Sequence, residues 1–439
     1  MEEPLVSTTQ QMWIAGTILF AAYGLIFSEW MHRAGAAIVG AVVMVGIGTW
    51  IGFYSQEQAI HALDGNTLLL LAGMMMVVVM LRPTGGFEYL AIRIAKWSKG
   101  DPKLLLIYLC FAVSVISMFL DNVTTVLIFA PLTVLITRIL RLNPLPYLMA
   151  QAMLSNIGGA ATLVGDPPNL MIGSTAGIDF THFLLKMGPP IAVIWIATVG
   201  LLLLLFREQL VGQGRHTIDL DERKAITDPV GLKKALFTLV IIVALFFTHH
   251  HLHLYPAFVA FIGVALLFLL VRPNPEPVFG KMEWSVLVFF TGLFIIVGGV
   301  ESSGLLALIG EQLAILAQQP GMLLATCILL MWVAALLSAI VDNIPFTVAM
   351  IPIVAGLEGY GVNVAPLWWA LAIGVGLGGN GSHIGATANI ICVAESERCG
   401  IPEARITPML WLRKGLPTML FGLLISSLLF TLFFDHFLE

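Results

Sequence analysis

Residues 155–169 read SNIGGAATLVGDPPN and lie between strongly apolar segments, yet they cannot continue a helix. Gly158, Gly159 and Gly165 carry little helix propensity, and Pro167 and Pro168 remove two backbone donors. Asp166 and Asn169 add polar groups where lipid would otherwise be expected. Irregular backbone at membrane depth persists only where it is buried in protein or lines a wet cavity. The stretch has a partner at residues 376–389, GLGGNGSHIGATAN. Gly158, Gly159, Gly165 and Asn169 align with Gly378, Gly379, Gly385 and Asn389, each pair 220 residues apart. Two similar broken segments in corresponding halves point to the central binding site of a transporter.

The surrounding sequence supports a membrane setting. Of 439 residues, 59% are hydrophobic and 11% are charged, against about 25% charged in a soluble domain. Apolar runs follow one another along the chain, as in a polytopic helical membrane protein. The first run is expected to be a retained span and not a cleaved signal peptide. Cys110, Cys327, Cys392 and Cys399 show no metal-ligand spacing, so neither a metal site nor a cofactor is expected. Nothing resembles a nucleotide-binding loop, so energy must come from a gradient or from a separate ATPase subunit. No nucleophile–base pair or His-rich motif lies within a span, so no enzyme activity is expected, and no nucleic-acid partner.

Spans are expected at 12–28, 33–53 and 66–82, then an amphipathic interfacial helix at 85–99. Apolar sequence at 104–120 stops at Asp121-Asn122 and resumes from Val123 to Leu140. Residues 145–155 lead into the first break, 170–178 lead out, and 188–206 close the half. After a polar linker, 207–234, the pattern returns. Spans are expected at 235–248, 256–272 and 284–300, and an amphipathic piece at 303–317. Residues 321–341 are broken at Asp342-Asn343, 366–377 lead into the second break, and 411–434 form a last span. Gly73 and Gly292 are 219 apart, and Asp121 and Asp342, like Pro131 and Pro352, are 221 apart. Four ordered landmarks in one register argue for an internal duplication.

Basic residues give the orientation, since cytoplasmic loops are rich in Lys and Arg. With the N-terminus outside, Arg82, Arg93, Lys96, Lys99, Lys103, Arg138 and Arg141 all fall inside, at both ends of 104–140. That unit is therefore a re-entrant hairpin with Asp121-Asn122 near its tip. The matching segment of the second half, 301–366, holds no Lys or Arg. This asymmetry is what repeats of opposite topology require. On this arrangement 20 of the 21 basic residues are cytoplasmic or at that interface, with Lys186 the exception. The expected fold is an all-α polytopic membrane protein of two inverted-topology repeats. Each has five spans, a re-entrant hairpin and a broken helix. The first repeat is 1–206, the linker 207–234 is cytoplasmic, the second repeat is 235–439, and both termini lie outside a bacterial or archaeal plasma (inner) membrane.

A carboxylate inside a span costs about 3 kcal/mol on insertion scales, which makes it a functional candidate. Asp121, Asp166 and Asp342 are candidates for ion or proton coupling, or alternatively for capping the next half-helix. Asn122 and Asn343 are candidates for substrate contact, followed by Thr124, Thr125 and Thr347, although threonine hydroxyls in such helices often bond only to their own backbone. Asn156, Thr162 and Asn169 in the first break, and Asn380, Ser382, His383 and Asn389 in the second, offer neutral donors and acceptors. His383 has Leu163 as its counterpart and could carry a proton between about pH 5 and 8. His249, His250, His251 and His253 fall in an outer loop and are expected to be solvated. Trp368 and Trp369 are expected in an interfacial belt.

MFLDNVTTVLIFAPLT followed by SNIGGAATLVGDPPN resembles the arsenite-efflux, P-protein and sodium/proton-antiporter branch of the ion transporter superfamily, and the resemblance covers both halves. It implies that substrate sits between hairpin tips and broken-helix loops, on Asn122, Thr124, Thr162 and Asn169 and on Asn343, Thr347, Ser382 and Asn389. The superfamily's dicarboxylate symporters resemble Ser-Asn-Thr at the tips, whereas both tips here begin Asp-Asn. Added carboxylates repel a dicarboxylate and favour a proton, a metal cation or a neutral solute. The leading expectation is an arsenite/antimonite efflux permease working by alternating access, driven by proton exchange or by an ATPase partner. The runner-up is a sodium/proton antiporter, and the third reading an anion carrier. Dimers are common among the symporters, and the resemblance leaves a homodimer open here.

Overall fold

The computed structural model describes residues 7–28, 30–210, 221–319 and 321–438, and among these there are helices and no strands. The first half runs α1 Thr8–Phe27, α2 Arg33–Ile51, α3 Gln56–His61, α4 Gly65–Leu81, α5 Gly86–Trp97, α6 Pro102–Leu120, α7 Asn122–Ile139, α8 Leu145–Gly159, α9 Pro167–Ala176 and α10 Phe180–Leu205. The second runs α11 Pro229–Thr248, α12 Pro256–Val271, α13 Pro275–Gly280, α14 Trp284–Ser302, α15 Leu305–Ala317, α16 Leu323–Val341, α17 Asn343–Gly356, α18 Ala365–Gly378, α19 Thr387–Arg398 and α20 Pro408–Leu432, with a last turn, α21 Phe434–Phe437. Each of the first ten elements has a counterpart of the same kind ten places later, down to the short α3 and α13.

Local chemistry sets the ends. Asp228 begins α11, its carboxylate accepting from the Val230 and Gly231 N–H groups at 3.2 and 2.9 Å. Asp179 begins α10 by accepting from the His182 N–H at 3.0 Å. That helix therefore starts before the expected residue 188 and carries Pro189 and Pro190 inside it. Pro131 and Pro352 likewise lie inside α7 and α17, the second arm of each hairpin.

Nine helical segments among the described residues are long and apolar enough to cross a membrane. Six of these, α2, α4, α10, α11, α14 and α20, fall at expected spans, and the other three are the hairpin arms α6, α7 and α16. The 15-residue α8 is about 22 Å long and the 10-residue α9 about 15 Å, against about 30 Å of hydrocarbon, so neither half crosses alone.

The halves interlock. Helix α2 packs on α14, and α4 packs on α12. Both crossings are tight for the same reason. A Cβ added at Gly73 would fall 2.8 Å from the Ala260 Cβ, and one at Gly292 2.8 Å from the Ala37 Cβ. Within each half the first hairpin arm packs on the entry half of the broken helix, α6 on α8 and α16 on α18. The returning arms cross over, α7 lying against α19 and α17 against α9. Both hairpin tips are thereby brought to the two breaks.

Some expectations fail. Trp368 and Trp369 are buried in protein and form no belt, and the Trp369 ring stacks on His182 at 5.8 Å. His249 is buried too. Its Nε2 accepts from the Phe180 N–H at 3.2 Å, and its Nδ1 lies 2.9 Å from the Leu254 carbonyl oxygen. Of the linker, the segment with Arg215 and Asp219 lies outside the described residues, as do residues 1–6 of the N-terminus used for orientation. The end of the linker folds back, with Glu222 paired to Arg93 at 2.8 Å and to Lys96 of α5.

Candidate functional site

Each hairpin turns on an aspartate in an unusual conformation. Asp121 has φ 63° and ψ 154°, and Asp342 has φ 69° and ψ 145°. Backbone of this kind is close to glycine-only and costs about 1–3 kcal/mol, and such strain clusters at functional sites. The turn reverses the chain in one residue and starts the next helix at the following asparagine. Asp121 caps α7, its carboxylate accepting from the Thr124 N–H at 2.8 Å. Asp342 makes no such cap, and its Oδ1 is buried without a partner.

The breaks are held to the tips by matching bonds. The Thr162 hydroxyl donates to the Met118 carbonyl, and the Ser382 hydroxyl donates to the Ala339 carbonyl at 2.5 Å. Asn169 Nδ2 donates to the carbonyls of Gly159 and Thr162 at 3.2 and 3.0 Å. Asn389 Nδ2 donates to those of Gly379 and Ser382 at 2.7 and 2.9 Å. Thr162 and Ser382 therefore fix the loops on the hairpins, and Asn169 and Asn389 close each loop on itself. The glycines permit the contact, since a Cβ at Gly158 or Gly378 would sit 2.6 Å from the carbonyl oxygen of Ser114 or Ala335.

Between the two halves runs one chain of buried amides and carboxylates. Asn122 Nδ2 donates to Asn156 Oδ1 at 3.0 Å and to Asp166 Oδ1 at 3.3 Å. From the other tip, Asn343 Nδ2 donates to both oxygens of Asp166 at 3.3 Å. Asn156 Nδ2 reaches Asn380 Oδ1 at 3.0 Å and Asn389 Oδ1 at 3.1 Å. Asp166 is 1% exposed, and among the described residues the Asn122 and Asn343 amides are the donors that shield its carboxylate. The Asn122 and Asn169 Oδ1 atoms, with both amide hydrogens of each residue's Nδ2 already engaged, are buried without a donor. Together with Asp342 Oδ1, the unpartnered atoms of the site are all acceptor oxygens.

Of the expected site residues, Asp121, Asn122, Asn156, Thr162, Asp166, Asn169, Asp342, Asn343, Ser382 and Asn389 gather here. Thr347 uses its hydroxyl on the Asn343 carbonyl at 2.7 Å, as Thr125 does on that of Asp121. Thr124 and His383 are partly exposed beside the tip and the second break. All four cysteines are buried, and the Cys399 thiol donates to the Ser396 carbonyl. Among the described residues no cluster of His, Cys, Asp or Glu is arranged for a metal ion. The expectations omitted Arg33. This first residue of α2 donates from Nη1 to the Thr387 hydroxyl at 2.7 Å and lies 3.9 Å from Asp342 Oδ2. No local pattern signals it, because its partners lie more than 300 residues away.

The chain resembles known proteins along most of its length. A solved structure described as the Alcanivorax borkumensis YdaH transporter, of unusual topology, superposes with a TM-score of 0.58 at 14% identity, covering 92% of this chain and 98% of that one. That likeness supports the helical fold. A Mycobacterium tuberculosis protein named Uncharacterized transporter Rv2684 is 40% identical over 399 residues, 89% of this chain and 91% of its own. The human P protein is 31% identical over 495 residues, 94% of this chain and 59% of its own, in keeping with the superfamily resemblance drawn from the hairpin and break motifs. Residues 23–374 match the family CitMHS, described as citrate transporter. With its apolar helices and transporter relatives, the chain is a multi-pass membrane transporter belonging to the CitMHS citrate transporter family.

Proposed function

We propose that this transporter exchanges sodium for protons by alternating access, with Asp166 and the two tip aspartates as the shared cation and proton site. The observation that carries this reading is that Asn122 Oδ1, Asn169 Oδ1 and Asp342 Oδ1 are buried without a hydrogen-bond partner on the same tips and first break that carry Asp121 and Asp166. Hard monovalent cations take oxygen ligands, and half-helix breaks at mid-membrane supply them in other secondary transporters. A proton satisfies the same carboxylates, so the two ions compete.

A neutral triol such as arsenite would need free donors and acceptors in balance. The hydroxyls of Thr162, Ser382 and Thr347 and the amide groups of Asn169 and Asn389 are already spent on carbonyls. This balance moves the arsenite/antimonite reading behind cation exchange. An ATPase partner would dock on the linker, but there Glu222 is engaged by α5. Citrate, the solute in the family's description, would bring further negative charge to three aspartates and calls for their neutralisation by bound cations. The two halves, 1–206 and 235–439, would move as inverted repeats about the crossing of α2 with α14 and α4 with α12.

The test is purified protein in proteoliposomes carrying a pH-sensitive dye. An outward sodium gradient should acidify the lumen and an inward one alkalise it, and citrate and antimonite gradients should do neither. Proton movement with citrate or antimonite alone would replace this reading with a solute carrier.

A further inference from the structure

The two hairpin tips share a backbone and differ in charge. Asp121 and Asp342 are each 8% exposed. Asp121 directs its carboxylate to the Thr124 N–H, and no ion pair reaches it among the described residues. Asp342 has the Arg33 guanidinium 3.9 Å from Oδ2, and its Oδ1 is buried and unpartnered. The guanidinium is held from two further sides. It donates to the Thr387 hydroxyl, and it lies 5.4 Å from the centre of the Phe289 ring.

These contacts belong to different bodies of the molecule. Arg33 opens α2 and Phe289 belongs to α14, the pair that cross tightly. Asp342 forms the second hairpin tip, and Thr387 opens the exit helix of the second break. Arginine cannot give up its charge. Its distance to Oδ2 is too long for a hydrogen bond, so the attraction is purely coulombic. A small cation on the same carboxylate would sit at about 2.4 Å, as hard cations do, and coulombic energy falls inversely with distance. The guanidinium is therefore close enough to compete for Asp342 and too far to win against a coordinated ion.

We propose that Arg33 is a built-in competitor at the second-half tip, which sets the cation affinity of Asp342 and ties its occupancy to the position of the hairpin against α2. The inference rests on the cation reading of the site. Loading the carboxylate frees the guanidinium, and the hairpin loses its charged link to α2. An empty carboxylate restores that link.

The experiment compares wild type, Arg33→Gln, Arg33→Lys, Asp342→Asn and the Arg33→Gln/Asp342→Asn double variant as purified full-length protein. The first readout is the sodium concentration that half-saturates the rise in melting temperature. Arg33→Gln should lower it about two- to fivefold, the scale of a partly exposed ion pair, and Arg33→Lys should stay near wild type. In the Asp342→Asn background, Arg33→Gln should have no effect on it. The second readout needs no ligand. The melting shifts of Arg33→Gln and Asp342→Asn without sodium should be non-additive, as for residues in contact. Unchanged half-saturation in Arg33→Gln, or the same change without Asp342, overturns the competition. Additive shifts overturn the pairing itself. A wild-type protein that ignores sodium while the ligand-free cycle stays non-additive would overturn the cation reading and the competition with it, and leave a structural link.

Discussion

Asn122 and Asn343 stand 221 residues apart in sequence, and the amide nitrogens of both lie 3.3 Å from the same oxygen of Asp166. One carboxylate thus joins the tips of both hairpins. Its counterpart in the second half is Ala386, so the junction exists once per molecule. Any change in what Asp166 holds is felt by both tips together.

Asp166→Asn tests that junction. The amide keeps the shape but presents two donors where Asn122 and Asn343 already donate. Sodium-dependent proton movement in proteoliposomes should fall at least about tenfold, the equivalent of one charge-assisted bond of roughly 1.5–3 kcal/mol. The variant should still elute as a single folded species on size exclusion. Retained exchange would remove Asp166 from the transport site.

The strained tips separate stability from function. Replacing either aspartate with glycine relieves about 1–3 kcal/mol of backbone cost. At Asp121 the change also removes the cap on α7, worth about 1 kcal/mol, so Asp121→Gly should melt near wild type. Asp342 has no cap to lose and gives up only its partly exposed ion pair with Arg33, worth at most about 1 kcal/mol, so Asp342→Gly should melt at or above wild type and no lower than Asp121→Gly. Both should bind sodium more weakly than wild type. Thermal melting in detergent decides it, and a lower melting temperature for Asp342→Gly than for Asp121→Gly contradicts the strain account.

The loop glycines are predicted to be intolerant for a geometric reason. An alanine at Gly378 would bring its Cβ to 2.6 Å from the Ala335 carbonyl oxygen, and backbone cannot step aside as a side chain can. Overpacking of this kind costs about 1–3 kcal/mol. Gly46→Ala, in α2 with nothing within 4 Å, is the control and should gain up to about 1 kcal/mol of helix propensity. Comparing expression yield and melting temperature of the two variants checks the contrast.

The linker clamp is predicted to respond to acid. The Lys96 hydrogen bond, with help from Arg93, holds the Glu222 carboxyl down at about 2, against an ordinary 4.5. A carboxylate depressed on docking contributes fully above its free value and loses that contribution as pH falls toward its docked value. Docking of residues 222–228 should therefore hold above pH 4.5 and fail progressively on acidification toward pH 2. The Thr227 and Asp228 amides, which both donate to the Thr84 carbonyl, report it. Hydrogen exchange at these two positions should rise in Glu222→Gln at neutral pH, and an unchanged rate would assign the docking to those backbone bonds alone.

The hairpins, the breaks and the order of the long apolar helices were legible in the sequence because each rests on local chemistry, whereas the short α3 and α13 were not expected. Asp-Asn stops an apolar run, glycine and proline stop a helix, and hydropathy marks the rest. The residues gathered at the site were legible too, since chain topology brings tips to breaks. Their individual roles were not. Thr162, Ser382, Asn169 and Asn389 offer the right groups for a solute, yet their bonds go to carbonyls that a loop without helix leaves open. Helix α19 was passed over because its twelve residues mix charge with apolar positions and carry no hydropathy signal. Arg33 was invisible because its contacts depend on tertiary proximity, and a lone arginine at a helix start looks like any interfacial anchor.

The first break is buried along its whole length, whereas Ser382, His383, Ile384 and Thr387 of the second are partly exposed. Two stretches built on one plan thus hold two different solvent environments at the same moment. Under alternating access, each half serves as the template for the shape the other takes next. If the halves are inverted repeats, exchanging their backbones would describe the opposite-facing state. The energy separating the two states then falls to the positions where the plan is not shared. Asp166 stands against Ala386, Asn156 against Gly376, and Ala160 against Asn380. A resting bias toward one side of the membrane would be written in mismatches such as these.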